Sequence, residues 1–309
     1  MHPADRIPRL WTLWAAARPS QLALIVLVYA LGVGMVAAGE AGPTGRAPPA
    51  SAELAALSTA AVVPLLIVAI AVHYANEYAD VDTDAIATRT PFSGGSGALV
   101  RTDVPRSFLA RGIIVTTLAG AASALLVRLT VGLDDVALVL LAAILALGLA
   151  YSLQPLALIR RGVGELVNVV LGGLLLPLYG VAVAGVITPT TVVAVVPFAL
   201  VVSCNLFATH WADRDADARV GKRTLAVRFS STRLRRSYAT IAAVAALWTV
   251  AIAGSVLPPV VTGAHALALP FLVWGGLVLT RQRSPFPAVA AMVVLAAATT
   301  VAWWASAFG

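Results

Sequence analysis

Nine apolar runs, each close to the roughly 20 residues that an α-helix needs to cross the hydrocarbon core of a bilayer, fill most of this chain. They lie at 19–39, 55–77, 108–130, 134–153, 164–186, 190–210, 236–257, 262–280 and 287–307. A helix of that length satisfies its backbone polar groups internally, which lipid demands of any spanning segment. The short alternating segments of a membrane β-barrel are missing, and Leu, Ala and Val fill the runs. With 60% hydrophobic and 11% charged residues, no polar stretch is long enough for a separate soluble domain. The expected fold is therefore all-α: a polytopic membrane protein of nine transmembrane helices forming a single domain over residues 1–309. Arg6, Arg9 and Arg18 precede the first run, but a small-residue cleavage site is absent and eight more runs follow. The first run reads as a retained helix and not as a signal peptide.

Charge orients the bundle. With nine spans, the N-terminus and the loops after the second, fourth, sixth and eighth helices share one side. All of the 21 Lys and Arg residues except Arg46 and Arg128 fall there. Positive residues stay in the cytoplasm, so that side is expected to be cytoplasmic at the cell inner membrane, with Trp303 and Trp304 near the opposite interface. A pI near 10.3 follows from this distribution. The cations are spread along membrane edges, and no nucleic-acid partner is expected. Cys204, the single cysteine, sits in an apolar run and reads as core packing. The Gly-, Pro- and Ala-rich stretch 40–53 reads as a loose external loop.

Two acidic segments stand at the cytoplasmic ends of the second and sixth helices. His73-Tyr74-Ala75-Asn76-Glu77-Tyr78-Ala79-Asp80 returns in altered form as His210-Trp211-Ala212-Asp213-Arg214-Asp215-Ala216-Asp217. Asn76, Asp80 and Asp84 are spaced four apart, as are Asp213 and Asp217, so each set forms one stripe if the helix continues. One Asp at a helix end is ordinary surface. Two parallel stripes with matched flanks instead form a set of hard oxygen ligands suited to Mg²⁺, which leaves positions for water and phosphate oxygens. Asp82 and Asp215 point off the stripes. His73 and His210 lie three residues before Asn76 and Asp213, where they either assist the ligands or are simply buried and hydrogen-bonded.

Cations and backbone donors surround these stripes in the sequence. The loop Arg89-Thr90-Pro91-Phe92-Ser93-Gly94-Gly95-Ser96-Gly97 can turn N–H groups toward an anion, with Ser93 and Ser96 adding donors. After the second stripe come Lys222 and Arg223, and after the fourth helix come Tyr151, Arg160 and Arg161. Arg233, Arg235 and Arg236 enter the seventh helix and serve topology.

Asn76-x3-Asp80-x3-Asp84 resembles the first, NDxxDxxxD-type, motif of the UbiA superfamily of membrane prenyltransferases, and Asp213-x3-Asp217 resembles the second. Arg18-Pro19, Tyr151-Ser152 with Pro155, Arg161-Gly162-Val163-Gly164-Glu165-Leu166 and Gly221-Lys222-Arg223-Thr224-Leu225-Ala226 sit where that family places similar residues. The resemblance covers nearly the whole chain. It implies a bundle around a central cavity, in which Mg²⁺ held by Asn76, Asp80, Asp84, Asp213 and Asp217 meets an isoprenyl diphosphate whose tail runs into a lipid-open tunnel. Asn76, Arg89, Ser93, Arg160, Arg161, Lys222 and Arg223 would bind the diphosphate. Asp80, Asp84, Asp213, Asp217 and Tyr151 would serve catalysis, and His73, Tyr74, Tyr78, His210 and Trp211 would line the cavity and stabilise a cation.

This sequence departs from the family pattern at Glu77, where a second Asp is usual, and at Thr209, His210 and Ala212, where the quinone-type members have two Asn and an Arg. Asp213-Arg214-Asp215-Ala216-Asp217 is similar to the hydroxybenzoate type. The 161–165 and 222–224 segments are similar to the menaquinone type. The expected reaction is metal-assisted ionisation of an allylic diphosphate and attack by an aromatic carbon, with dihydroxynaphthoate the first acceptor and 4-hydroxybenzoate the second. A terpene cyclase of the same superfamily would need no acceptor. An ion-coupled transporter would also carry intramembrane acids, though at the midplane of broken helices. A phosphatidyl-type transferase would show a DGxxAR-like opening, which this chain lacks.

Overall fold

In the computed structural model, which describes residues 8–39 and 51–308, the helical path breaks at Arg18, just ahead of the first apolar run. Arg18 adopts a left-handed conformation, φ 53° and ψ 68°, and Pro19 follows as the first residue of the next helix. Proline disfavours helical backbone in the residue before it, so α1 (Pro8–Ala17) ends there and α2 (Pro19–Ala37) restarts. Arg6, Arg46 and most of the 40–53 loop lie outside the described residues.

The second apolar run belongs to α3 (Ser51–Ile86), 36 residues long. At 1.5 Å per residue that is about 54 Å, so several turns extend past a hydrocarbon core of about 30 Å. A short α4 (Ala98–Thr102), α5 (Arg106–Val131) and α6 (Asp135–Ser152) follow. A 3₁₀ turn at Leu158–Arg161 leads into α7 (Gly164–Asn168), a π-helical segment at Val169–Leu175 and α8 (Leu176–Ala184). Next comes α9 (Pro189–Arg219), started by a reciprocal Thr188–Thr191 capping box and continued, like α3, well beyond its apolar run. The chain finishes with α10 (Leu225–Arg228), α11 (Ser231–Ala251), α12 (Pro259–Ala266), α13 (Leu269–Val278) and α14 (Phe286–Phe308). No β-strand occurs among the described residues.

Among the described residues, eight helical segments are long and apolar enough to cross a membrane, against nine expected. The run at 236–257 is the one that does not qualify. It lies in α11, whose first turns carry Arg233, Arg235 and Arg236. This helix lies along α9 in the opposite direction: Cys204 Sγ is 3.8 Å from Tyr238 O, and Trp248 Nε1 donates to Val193 O at 3.2 Å. Cys204 is fully buried there. The run at 262–280 is bent near Leu267 into α12 and α13.

Close crossings hold the bundle together. A Cβ on Gly32 of α2 would overlap Pro177 O of α8, and one on Gly180 of α8 would overlap Tyr29 O of α2. Small residues let the two backbones approach in this way. Tyr29 and Tyr179 flank the crossing with ring centroids 5.6 Å apart, and their hydroxyls donate to Ser58 O and Ala61 O of α3 at 2.9 and 3.0 Å. Trp304 Nε1 donates to Ala30 O at 3.0 Å, which fixes α14 to α2. Both acidic segments emerge at one end of the bundle. The Arg106–Asp82 and Arg283–Asp215 pairs lie at that end, whereas Arg128 pairs with Asp135 at the other.

A leucine at position 180 must push α2 and α8 apart. We expect Gly180→Leu to cost about 1–3 kcal/mol through overpacking and to lower the unfolding midpoint of the detergent-solubilised protein. Gly172→Ala, whose added methyl group meets nothing within 4 Å, should leave the midpoint nearly unchanged, and equal midpoints for the two variants would refute the crossing.

Candidate active site

The helical extensions of α3 and α9 decide where the acids go. Because α3 stays helical to Ile86, Asn76, Asp80 and Asp84 share one face, and Asn76 Nδ2 donates to Asp80 Oδ2 at 3.1 Å and to Ser152 Oγ of α6 at 3.4 Å. α9 carries Asp213 and Asp217 in the same way. The two stripes meet at Lys222, whose Nζ lies 2.9 Å from Asp80 Oδ1 and 3.4 Å from Asp217 Oδ1. Burial alone would lower the Lys222 pKa, but the Asp80 and Asp217 carboxylates more than offset this and hold it above the ordinary lysine value. The lysine therefore stays charged and ties the two motifs together.

Above this pair lies the glycine-rich loop. Gly94 N donates to Asp213 Oδ2 at 3.2 Å, and a Cβ on Gly95 would overlap the Asp84 carboxylate, so adjacent residues of one loop touch both acidic stripes. Gly95 and Gly97 have φ of 63° and 60°, which glycine accepts without strain. The loop is anchored by Glu77, which is 1% exposed. Its Oε1 accepts from Ala98 N at 2.7 Å, while Oε2 accepts from Ser96 N at 3.3 Å and from Arg18 at 3.2 Å. Glu77 thus joins the α1–α2 break to the loop and does not belong to the ligand stripe. The sequence carried a hint of this: an acid inside an apolar run needs a buried partner, and Arg18-Pro19 supplied one.

Several expected site residues are brought to the acids and others are not. Tyr151 sits within hydrogen-bonding reach of Asn168 and in the field of Asp80, Glu165 and Asp217. His73 Nδ1 donates to Ala17 O at 2.8 Å, and His210 Nδ1 donates to Glu165 Oε1 at 3.0 Å. Arg89 donates to Ser96 O at 3.0 Å inside the loop and lies in the field of Asp84. Ser93 Oγ is bonded to Thr90 Oγ1 at 2.8 Å, which ties it to its own loop. Arg160 donates to Val220 O at 2.6 Å and so braces the segment carrying Lys222. Arg161 is exposed and donates to Pro155 O, and Arg223 is exposed. Neither reaches the acids.

Three aromatics expected to line the cavity stand off the ligand stripes. Tyr74 and Tyr78 lie two residues to either side of Asn76, on the opposite face of α3, and pack among residues of α1, α4 and α5. The Tyr74 hydroxyl donates to Leu13 O at 3.2 Å. Trp211 packs against the main core, with the Arg214 guanidinium 4.9 Å from its ring centroid, and borders a slot formed by α13 and the start of α14. Asp82 and Asp215, off the stripes, form the exposed pairs with Arg106 and Arg283.

The donor chemistry suits a hard cation. Asp84 Oδ2 and Asp213 Oδ1 are buried with no hydrogen-bond donor, although buried acceptors are normally satisfied. One belongs to each stripe, and both lie beneath the loop. Among the described residues no three Asp, Glu, His or Cys side chains converge on one point, since Lys222 stands between Asp80 and Asp217. A polar cleft of about 90 Å³, lined by Thr88, Asp213, Asp215, Arg219 and Arg283 among others, opens beside Asp213.

The UbiA prenyltransferase family model matches residues 26–297. A search of curated protein sequences gives no match. Among solved structures, the chain is similar to a UbiA homologue from Archaeoglobus fulgidus bound to GPP and Mg²⁺, with TM-score 0.68 and 15% identity over 96% of this chain and 100% of that one. A UbiA homologue from Aeropyrum pernix K1 gives TM-score 0.63 and 16% identity over 91% and 96%. A digeranylgeranylglyceryl phosphate synthase gives 0.61 and 13% over 96% and 99%.

Removing the Glu77 carboxylate leaves Arg18 buried without its partner, a loss of about 3–5 kcal/mol in comparable sites. Glu77→Ala is expected to lower the unfolding midpoint and to speed amide hydrogen exchange at Ser96 and Ala98. Parental exchange at both amides would show that Glu77 does not anchor the loop.

Proposed function

The chain belongs to the UbiA prenyltransferase family, and from that membership we propose that it transfers an isoprenyl group from an isoprenyl diphosphate to a small aromatic acceptor in a Mg²⁺-dependent reaction. The observation that carries this reading is the meeting of the two acidic stripes beneath one glycine loop, with a carboxylate oxygen of each stripe left without a donor. The Archaeoglobus fulgidus homologue was solved with GPP and Mg²⁺ bound, and the same classes of ligand suit this donor set.

Asp80, Asp84, Asp213 and Asp217, with Asn76, would hold the metal. Mg²⁺ supplies charge neutralisation that makes diphosphate a competent leaving group. Lys222, already positioned between the stripes, would turn its ammonium toward the diphosphate, and the Gly94–Ser96 loop would close over it with Arg89 in support. The prenyl chain would extend away from the acids into the apolar interior, where excluded water protects an allylic cation from quenching. Tyr151, in the field of Asp80 and Asp217, would face that cation with its ring.

Dihydroxynaphthoate is the first acceptor in this proposal because Arg161-Gly162-Val163-Gly164-Glu165 and Lys222-Arg223-Thr224 are similar to the menaquinone type, and 4-hydroxybenzoate is the second. Quinone biosynthesis is the corresponding role. The end that carries the acids also carries Arg106, Arg160, Arg219, Lys222 and Arg283. By the positive-inside rule it faces the cytoplasm, in the inner membrane.

The test is an assay in detergent with Mg²⁺ and labelled geranylgeranyl diphosphate, offering each acceptor or none. Label should pass to one aromatic acid and disappear with EDTA. Asp80→Asn and Asp213→Asn should each reduce transfer by about 10²-fold or more without loss of folding. Transfer at the parental rate by Asp80→Asn would sink the assignment. A cyclised hydrocarbon formed without acceptor would identify a cyclase instead.

A further inference from the structure

Three arginines close to the acids in sequence take no part in that site. Arg161, Arg223 and Arg228 come from separate turns of the chain and converge on Gly162. Arg228 donates to Gly162 O at 3.4 Å, Arg161 directly precedes the glycine, and a Cβ at position 162 would lie 3.2 Å from Arg223 O and 2.7 Å from a guanidinium nitrogen of Arg228. Gly162 has φ 79°, which glycine adopts without strain, so the close approach of the arginines is built into the turn. All three arginines are exposed.

Their charges are unmet. Among the described residues, no carboxylate lies within ion-pairing distance of any of them, whereas Arg106 and Arg283 at the same end of the bundle each pair with an aspartate. Glu165, the acid nearest to Arg161 in sequence, is buried and accepts from His210 and from Leu225 N. Arg161 commits one N–H to Pro155 O and Arg228 one to Gly162 O, out of the five that each guanidinium carries. Like charges gathered at one turn repel one another until an anion joins them, and the guanidinium fork matches the oxygens of a phosphate.

The surroundings identify the anion. Leu156, Val163 and Leu166 are 47%, 42% and 66% exposed beside these arginines. Leu166 stands near the start of Gly164–Ala184, a segment long and apolar enough to cross the membrane, and its exposure turns it away from the bundle. Exposed apolar side chains below unpaired cations, at the end of a spanning helix, match an amphiphile whose acyl chains follow the helix and whose phosphate meets the arginines. An acidic protein surface or a free phosphate would leave the three apolar residues unmatched. The acids have their own cation in Lys222, which is buried between the stripes, while Arg223, the next residue, is exposed.

We infer that Arg161, Arg223 and Arg228 form a binding site for the phosphodiester headgroup of an anionic phospholipid, with Leu156, Val163 and Leu166 against its glycerol and acyl region. This site does not depend on the prenyl-transfer reading, and its occupancy is read without turnover.

The experiment uses the full-length protein, delipidated in detergent, and native mass spectrometry with dioleoyl phosphatidylglycerol or with phosphatidylcholine of the same chains. The parent should retain one phosphatidylglycerol in preference to phosphatidylcholine. The triple variant Arg161→Gln/Arg223→Gln/Arg228→Gln should bind it at least about tenfold more weakly, since each arginine near a lipid surface contributes several-fold. Arg106→Gln/Arg236→Gln/Arg283→Gln, which removes the same charge elsewhere at that end, should bind it as the parent does. Should the first triple variant fail to fold, Arg161→Gln and Arg223→Gln singly are held to the same criterion of weakened binding. Equal retention by the parent and the Arg161/Arg223/Arg228 variants overturns the site, as does equal retention of the two lipids by the parent. A loss shared by both triple variants reduces the effect to net charge and also overturns it. Displacement of phosphatidylglycerol from the parent by an equal concentration of inorganic diphosphate or geranylgeranyl diphosphate overturns the lipid assignment in favour of a free or substrate phosphate.

Discussion

Carboxylates at the edge of a membrane must be matched by positive charge or by oriented N–H groups, and the acid-bearing end of this bundle is organised around that requirement. The acids meet it in three ways. Glu77 is met on both oxygens by Arg18 and two loop amides, and it sets the shape of the glycine loop. Asp80 and Asp217 share Lys222. Asp84 and Asp213 are each left with one oxygen that nothing in the chain satisfies. The fully matched acid does structural duty, whereas the partly matched ones are those that a cation from outside would complete. This distinction separates Glu77 from Asp84, although both stand on one helix.

Placement of those acids depends on rigid helix beyond the bilayer. Neither α3 nor α9 stops where its apolar run stops, so the i, i+4 spacing of each motif becomes a true stripe and the two stripes hold a fixed separation. The glycine crossing of α2 with α8 and the two tyrosines that bind α3 keep the helices from sliding. The π-helical segment at Val169–Leu175 adds a local adjustment directly after α7. Gly173 within it packs so closely on Ala199 that a Cβ would lie 2.7 Å from the Ala199 Cα, and α7 is thereby set where Glu165 reaches His210.

Much of this was legible from the sequence because it is local. Length and hydropathy located the spanning segments, and the spacing of Asn76, Asp80, Asp84, Asp213 and Asp217 gave the stripes. The arginine-rich opening of α11 left that helix less apolar than the other eight. What escaped was non-local. The partner of Glu77 is 59 residues away and that of Glu165 is 45 residues away, and no spacing rule joins them. Tyr74 and Tyr78 show another limit: they are close to Asn76 in sequence but pack on the other face of α3. On a helix, two residues of separation turn a side chain to the far side.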